Sequence, residues 1–166
     1  KAEYDLHQNN FADEGYRNFL LRVQQPLQQR VPLPACGLDF GCGPGPVLSR
    51  MLGEQGFEMS VYDVFYSDNK SVLDCRYDFV TATEVVEHLF EPGKVLSQLW
   101  SLLEEGGVLA LMTKLVIDQQ AFASWHYKND PTHVCFFSQP TFEWLAKKWG
   151  ARLEFIGQDV IIFTKS

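Results

Sequence analysis

Asp39 and Asp63 stand near the ends of two short apolar runs, and between them Gly41, Gly43 and Gly45 occupy alternate positions of the stretch LDFGCGPGP, Leu38 to Pro46. Glycines at that spacing strip the Cβ atoms from one face of a loop, so the backbone can take positive φ and lie against a ligand. The spacing therefore predicts a bulky group pressed onto this backbone. Pro44 and Pro46 carry a fixed φ that suits a first helical turn, so a helix follows directly, and a helix N-terminus favours negative charge. The pattern G-x-G-x-G is not the dinucleotide signature G-x-G-x-x-G, which disfavours a nicotinamide-dependent reductase. Asp39, two residues before the first glycine, would repel an incoming pyrophosphate but tolerate a cationic centre. Asp63, about twenty residues past the loop, stands where a carboxylate takes a ribose diol in the general nucleotide-site scheme. An adenosine with an attached cation is the ligand these residues indicate.

A second concentration of reactive types lies at Trp125 to Ser138, WHYKNDPTHVCFFS, which holds His126, His133, Asp130, Tyr127 and Trp125. The spacing gives two readings: a substrate-facing loop, or a loop that His133 ties to the fold while Phe136 and Phe137 serve as core. His126, His133 and Asp130 also have the ligand types of a divalent metal site, but such types meet often by chance, and no resident metal is assigned.

These residues need a scaffold. Tyr16, Phe19, Leu20, Val23 and Leu27 recur at helical spacing between Asp13 and Arg30 and predict a covering helix. Tyr4, His7 and Tyr16 could instead form a lid. Cys36 to Phe40 reads as a buried strand, the segment from about Pro46 to about Glu54 as a helix, and Phe57 to Tyr62 as the next strand, closing on Asp63. Tyr77 to Ala82 is a strand running into Glu84 to Leu89. Glu91-Pro92-Gly93 opens a helix to about Leu103, Gly106-Gly107 marks a stop, and Val108 to Thr113 is a further strand. Alternating apolar strands and helices imply an α/β fold with a mainly parallel sheet covered on both faces, its ligands beyond the carboxyl ends of the strands. After an aromatic helix from Ser138 to Trp149, ended by Gly150, the runs Arg152 to Ile156 and Val160 to Thr164 form a hairpin about Gly157-Gln158-Asp159.

The 166 residues suit one domain, expected as a helical cover over 1–34 and a core over 35–166. Apolar residues at 46% and charged residues at 21% exclude a disordered chain. The net charge of -7, from 14 basic against 21 acidic residues with no basic stripe, makes nucleic acid an unlikely partner. Cys36, Cys42, Cys75 and Cys135 form no C-x-x-C pair, so a reducing cytoplasm is expected rather than a zinc site or a disulfide framework. No apolar run approaches membrane-spanning length and no signal pattern is present, so no membrane association is expected. Oligomeric state is left open.

The chain resembles the class I S-adenosylmethionine-dependent methyltransferases, of Rossmann-like fold, from about Cys36 to the carboxyl end. LDFGCGPGP matches their first motif, VYD at Val61 to Asp63 their second, YDFVTATEVVEHL their fourth-strand motif and LWSLLEEGGVLALMT their helix-to-fifth-strand motif. The resemblance implies S-adenosylmethionine as cofactor, with the backbone of Gly41, Cys42, Gly43 and Gly45 around the methionine moiety and Asp39 positioning its amino group. Asp63, with Val64 beside it, would bind the ribose hydroxyls, and Thr83 and Glu84 would line the wall next to the sulfonium. A seven-stranded sheet with an antiparallel last strand is also implied. Only about a dozen residues separate Asp63 from Tyr77, however, too few for a full crossover, so the third strand is expected to be short or missing. Asp74 followed by Cys75 could supply the pair that receives adenine, or could be solvated loop.

Methyl transfer from a sulfonium needs alignment above all, and a base only for weakly acidic nucleophiles. Among His7, His88, His126 and His133, the catalytic candidates are His133 and His126, because the T-H-x-x-x-F pattern at Thr132 resembles the ubiquinone-type O-methyltransferases. His88 in EVVEHL is read as structural, and Cys42 as a small residue tolerated between glycines rather than a nucleophile. The expected reaction is methyl transfer to a small-molecule acceptor, at oxygen before nitrogen or carbon. A non-catalytic cofactor-binding module of the same fold is the alternative, and protein or ribosomal RNA methylation is an outside reading.

Overall fold

A computed structural model describes residues 10–166; Tyr4 and His7 lie outside the described residues. Helix α1, Glu14–Gln28, starts where the Asp13 carboxylate accepts the Tyr16 N–H at 3.1 Å. Its stripe buries Leu20, Val23 and Leu27, while Tyr16 and Phe19 stay half-exposed. Strand β1, Cys36–Phe40, leads through the glycine loop into α2, Val47–Glu54, and β2, Glu58–Tyr62, follows. Strand β3, Tyr77–Thr83, precedes α3, Pro92–Ser101, and β4, Leu103–Met112. A five-residue helix, α4, Gln119–Ala123, leads to α5, Gln139–Trp149, and the hairpin β5, Arg152–Ile156, and β6, Val160–Thr164, completes the sheet.

The sheet order is β2-β1-β3-β4-β6-β5. The first four strands are parallel, and β6 runs antiparallel to both β4 and β5. Side chains of a strand alternate between faces, and both faces here are apolar. Val108, Ala110, Met112, Val160 and Ile162 pack with α1 and α2, whereas Leu109, Leu111, Ile161 and Phe163 pack with Leu96 and Leu99 of α3 and Phe142 and Leu145 of α5. That two-sided burial explains why the strands read as continuous apolar runs.

Two expectations change. The sheet has six strands, not seven: a 3-10 turn, Lys70–Asp74, stands where the third strand would run, which leaves β2 at the edge. The short Asp63 to Tyr77 link enforces this. Gly106-Gly107 is not a stop but a bulge inside β4, since Tyr77 pairs with Leu103 while Phe79 pairs with Val108. Three surplus residues are looped out there, with Gly106 at φ 76, and a Cβ on Gly107 would come within 2.8 Å of the Glu104 carbonyl. The α5 end is as expected, with Gly150 in the left-handed region at φ 65.

Candidate active site

The carboxyl ends of β1, β2, β3 and β4 share one edge of the sheet, and the start of β6 joins them because that strand runs the other way. Asp39 and Thr83 lie in β1 and β3 near this edge, and every other candidate residue except Asp74 sits on its loops or on the segment after β4.

The glycine loop is held by the chain's own groups. Gly41 has φ 75, and a Cβ there would come within 2.4 Å of a Val85 methyl, so the missing side chain makes room for Val85. Gly43, at φ 68, donates its N–H to Asp63 Oδ2 at 3.0 Å. Asp63 Oδ1 accepts the N–H groups of Phe65 at 2.8 Å and Tyr66 at 3.2 Å. A carboxylate has about four lone-pair sites, and three are thus in use. Gly45 accepts the Val47 N–H at 2.7 Å as α2 begins. Asp39, 3% exposed, accepts the Thr81 hydroxyl at 2.8 Å and the Ser49 N–H, tying β1 to β3 and α2.

Charge accumulates around this loop. Burial, and then the neighbouring Asp63, pushes the Asp39 carboxyl up to about 6. The Cys42 thiol is pushed up to about 12 by burial and by Asp39 and Asp63, so it is held protonated, as its reading as a bystander requires. Tyr16 of α1 is raised to about 12 by burial and by Asp39 and Glu84, which places that helix over the same space. Glu84 follows Thr83, the last residue of β3, with φ 53, a strained value for a side chain other than glycine. Burial, with Glu87 and Asp159 nearby, raises its carboxyl to about 8. Among the described residues, none of Asp39, Asp63 and Glu84 forms an ion pair. Carboxylates drawn out of water without a counter-charge fit a cationic ligand, and S-adenosylmethionine is one. In the segment expected to receive adenine, Val64 and Phe65 are exposed, and Asp74 and Cys75 are exposed at the end of the 3-10 turn.

In the second half of the site, the residue that sequence reasoning missed is Glu87. A 3-10 turn, Val86–His88, follows Glu84, and its Glu87 is fully buried. Glu87 accepts the Tyr127 hydroxyl at 2.5 Å and the Thr113 hydroxyl at 3.0 Å, and its carbonyl accepts the N–H groups of Val134 and Cys135. Burial, and then the charges of Glu87 and Glu84, pushes the Tyr127 phenol far up, so it remains a donor. His133 lies with its ring centroid 4.1 Å from Tyr127 and 4.8 Å from His88. Its Nδ1 is 2.6 Å from the Tyr127 carbonyl and its Nε2 is 3.7 Å from Asp130, whose carboxyl is pushed down chiefly by the Thr132 hydroxyl. Phe136 packs in an aromatic wall with Phe122, Trp125 and Tyr127, and Phe137 is core. His126 is exposed on a 3-10 turn, His126–Asn129. The residues that gather are therefore Glu87, His88 and His133, rather than His126, His133 and Asp130. The carboxylate and histidine of EVVEHL were the available signal. Arg22 of α1 pairs with the buried Asp159 at the start of β6, a contact no local pattern announces.

A family model described as a methyltransferase domain matches residues 10–154. The ubiquinone biosynthesis O-methyltransferase of Aeromonas salmonicida is 31% identical over 77 residues, 46% of this chain and 32% of that protein. The chain thus matches about a third of that curated relative's length. A SAM-dependent methyltransferase from Archaeoglobus fulgidus superposes with TM-score 0.71 at 19% identity, covering 98% of this chain and 99% of that one. The magnesium protoporphyrin IX methyltransferase of Synechocystis with bound SAM superposes with TM-score 0.66 at 16% identity, over 92% of this chain and 80% of that one.

Proposed function

The chain belongs to the methyltransferase domain family, and from that premise we propose that it moves the methyl group of S-adenosylmethionine to a hydroxyl oxygen of a small-molecule acceptor. The observation that carries this reading is the cluster of carboxylates around the glycine loop, buried Asp39 and Asp63 and half-buried Glu84, none of them in an ion pair among the described residues, with Asp39 and Glu84 raised chiefly by burial. When bound, the cofactor would supply a methyl group on a positively charged sulfur, which would keep the C–S electron pair while the acceptor oxygen took the methyl and gave up its proton.

Gly41, Cys42, Gly43 and Gly45 would seat the methionine end, with Asp39 beneath them fixing the loop and offering charge to the ammonium group. Asp63 would take the ribose diol. Since three of its lone pairs hold backbone N–H groups, accepting two hydroxyls requires releasing one, and the Gly43 bond across the loop is the one we assign to open. Val64 and Asp74 would flank adenine, and Thr83 and Glu84 would wall the sulfonium. His133 would orient or deprotonate the acceptor hydroxyl beside the Phe122, Trp125, Tyr127 and Phe136 wall, with His126 as the second candidate. The partial relative named for O-methyl transfer supports oxygen as the acceptor atom. Four free cysteines and the absence, among the described residues, of any helix long and apolar enough to cross a membrane fit a cytoplasmic setting.

The test is turnover with methyl-labelled S-adenosylmethionine over phenols, catechols, hydroxy acids and sugars, read by mass spectrometry. A methylated hydroxyl whose rate falls on the order of a hundredfold in His133→Ala supports the assignment. Cofactor binding with no product from any acceptor class favours the non-catalytic binding module, whose support is the missing third strand and the exposed adenine side.

A further inference from the structure

Glu87 is a fully buried carboxylate that accepts the hydroxyls of Tyr127 and Thr113 and has the Glu84 carboxyl against it, and among the described residues it forms no ion pair. A buried charge without a counter-charge is costly. The atoms that Glu87, His88 and His133 offer as ligands all lie within 4.8 Å of one another. Two ligands on one ion at metal–ligand distances of about 2.0–2.2 Å stand up to roughly 4.4 Å apart, so a small rotation of the side chains closes the set.

The imidazoles are also oriented for this task. His88 Nδ1 is 2.9 Å from the Thr132 carbonyl and His133 Nδ1 is 2.6 Å from the Tyr127 carbonyl. A carbonyl only accepts, so each Nδ1 carries the proton, and each Nε2 carries the lone pair in the neutral ring. Backbone carbonyls fixing the far nitrogen are the usual outer support of metal-binding histidines. Glu84 stands against Glu87 from the turn, Asp130 faces His133 from the loop, and Lys114 lies near Glu84 and over the Tyr127 ring at 5.2 Å. Three carboxylates thus surround the two imidazoles, with one lysine beside them.

We infer that Glu87, His88 and His133 bind a divalent first-row cation, of the class that two imidazoles and one carboxylate hold in a half-open coordination sphere. The site joins the turn after β3 to the loop after β4, 44 or more residues apart in the histidine-to-loop contact, and Glu84 links it to the wall assigned to the sulfonium. The remaining coordination positions would suit an acceptor hydroxyl, whose pKa a cation would lower; His133 would then orient that hydroxyl as a ligand of the cation rather than deprotonate it, the proton passing to water. That consequence rests on the hydroxyl-transfer reading; the site itself does not.

Co2+ is the probe, because bound in such a sphere it gives a visible absorption band that needs no acceptor and no turnover. The wild-type chain is expected to develop the band at one equivalent and to lose it on addition of Zn2+. His88→Asn and His133→Asn are each expected to weaken Co2+ at least about tenfold, Glu87→Gln likewise, and His126→Ala to leave the titration unchanged. Should the variants fail to fold, selective paramagnetic broadening of two imidazole signals in the wild-type chain, with His126 unaffected, gives the same answer. A wild-type titration without the band, or one indifferent to both histidine variants, overturns the inference. S-adenosylmethionine binding is measured by calorimetry on the same sample: retained cofactor binding without Co2+ binding removes the cation site alone, whereas lost cofactor binding removes the methyl-transfer reading.

Discussion

The loops after β1 and β2 and the loop after β4 meet at one edge of the sheet but are held together by different means. Around Gly41 to Pro46 the contacts are short-range in space and mostly backbone: a positive φ at Gly41 and Gly43, an N–H on Asp63, a carboxylate under the loop. Around Tyr127 to Phe137 side chains take part in more of the contacts, with Glu87 as the hub: its carboxylate holds Tyr127 and Thr113 and its carbonyl holds the Val134 and Cys135 N–H groups. Backbone geometry gives the first half little freedom to drift; the second half can be repacked one side chain at a time. The half proposed to hold the cofactor is thus the more constrained one, and the half proposed to hold the acceptor the adjustable one.

On that contrast, the largest effect belongs to Gly41→Ala. A side chain at φ 75, driven into Val85 at 2.4 Å, combines left-handed strain with overpacking and is expected to cost about 2–5 kcal/mol in urea unfolding. Adding Val85→Ala should recover part of that loss and leave the strain. An unchanged midpoint for Gly41→Ala would mean the loop is not locked by Val85.

The next effect tests the buried charge. The Asp39 carboxyl is raised from 3.8 to about 6, so the folded chain holds that proton more tightly than the unfolded chain. Its contribution to stability is complete below pH 3.8 and is lost as pH rises through about 6. Asp39→Asn keeps the shape and the acceptor for Thr81 but has no proton to lose. Between pH 4 and 7 the wild-type chain should therefore fall relative to Asp39→Asn by on the order of 3 kcal/mol. Parallel stability curves would remove the argument from charge.

On the adjustable side the expected losses are smaller. Tyr127→Phe deletes one donor to a buried carboxylate and should cost about 1–3 kcal/mol, and it should disturb the loop after β4 more than cofactor binding, which amide exchange along residues 114–137 would reveal. His126→Ala, at an exposed position, is expected to stay within about 0.5 kcal/mol of wild type. A larger shift would show that the exposed turn is packed against something the contrast omits.

The same division governs what could be read from the chain. Strand ends, glycine spacing and a closing hairpin are local patterns, so Asp39, Asp63, β5 and β6 were legible, as was the α1 stripe. The missing third strand was legible as a shortage of residues. Gly106-Gly107 misled because a bulge and a stop both use glycine, and only pairing with Tyr77 and Phe79 distinguishes them. Glu87 with Tyr127 and Thr113 could not be read, because those partners lie 40 and 26 residues away and only the folded sheet edge brings them together.

The central claim is that this sheet edge is charged for a positively charged adenosyl donor. Isothermal calorimetry of the wild-type chain with S-adenosylmethionine tests it most directly. The account predicts saturable binding at one site that Asp63→Asn weakens, and heats indistinguishable from dilution at millimolar ligand would contradict it.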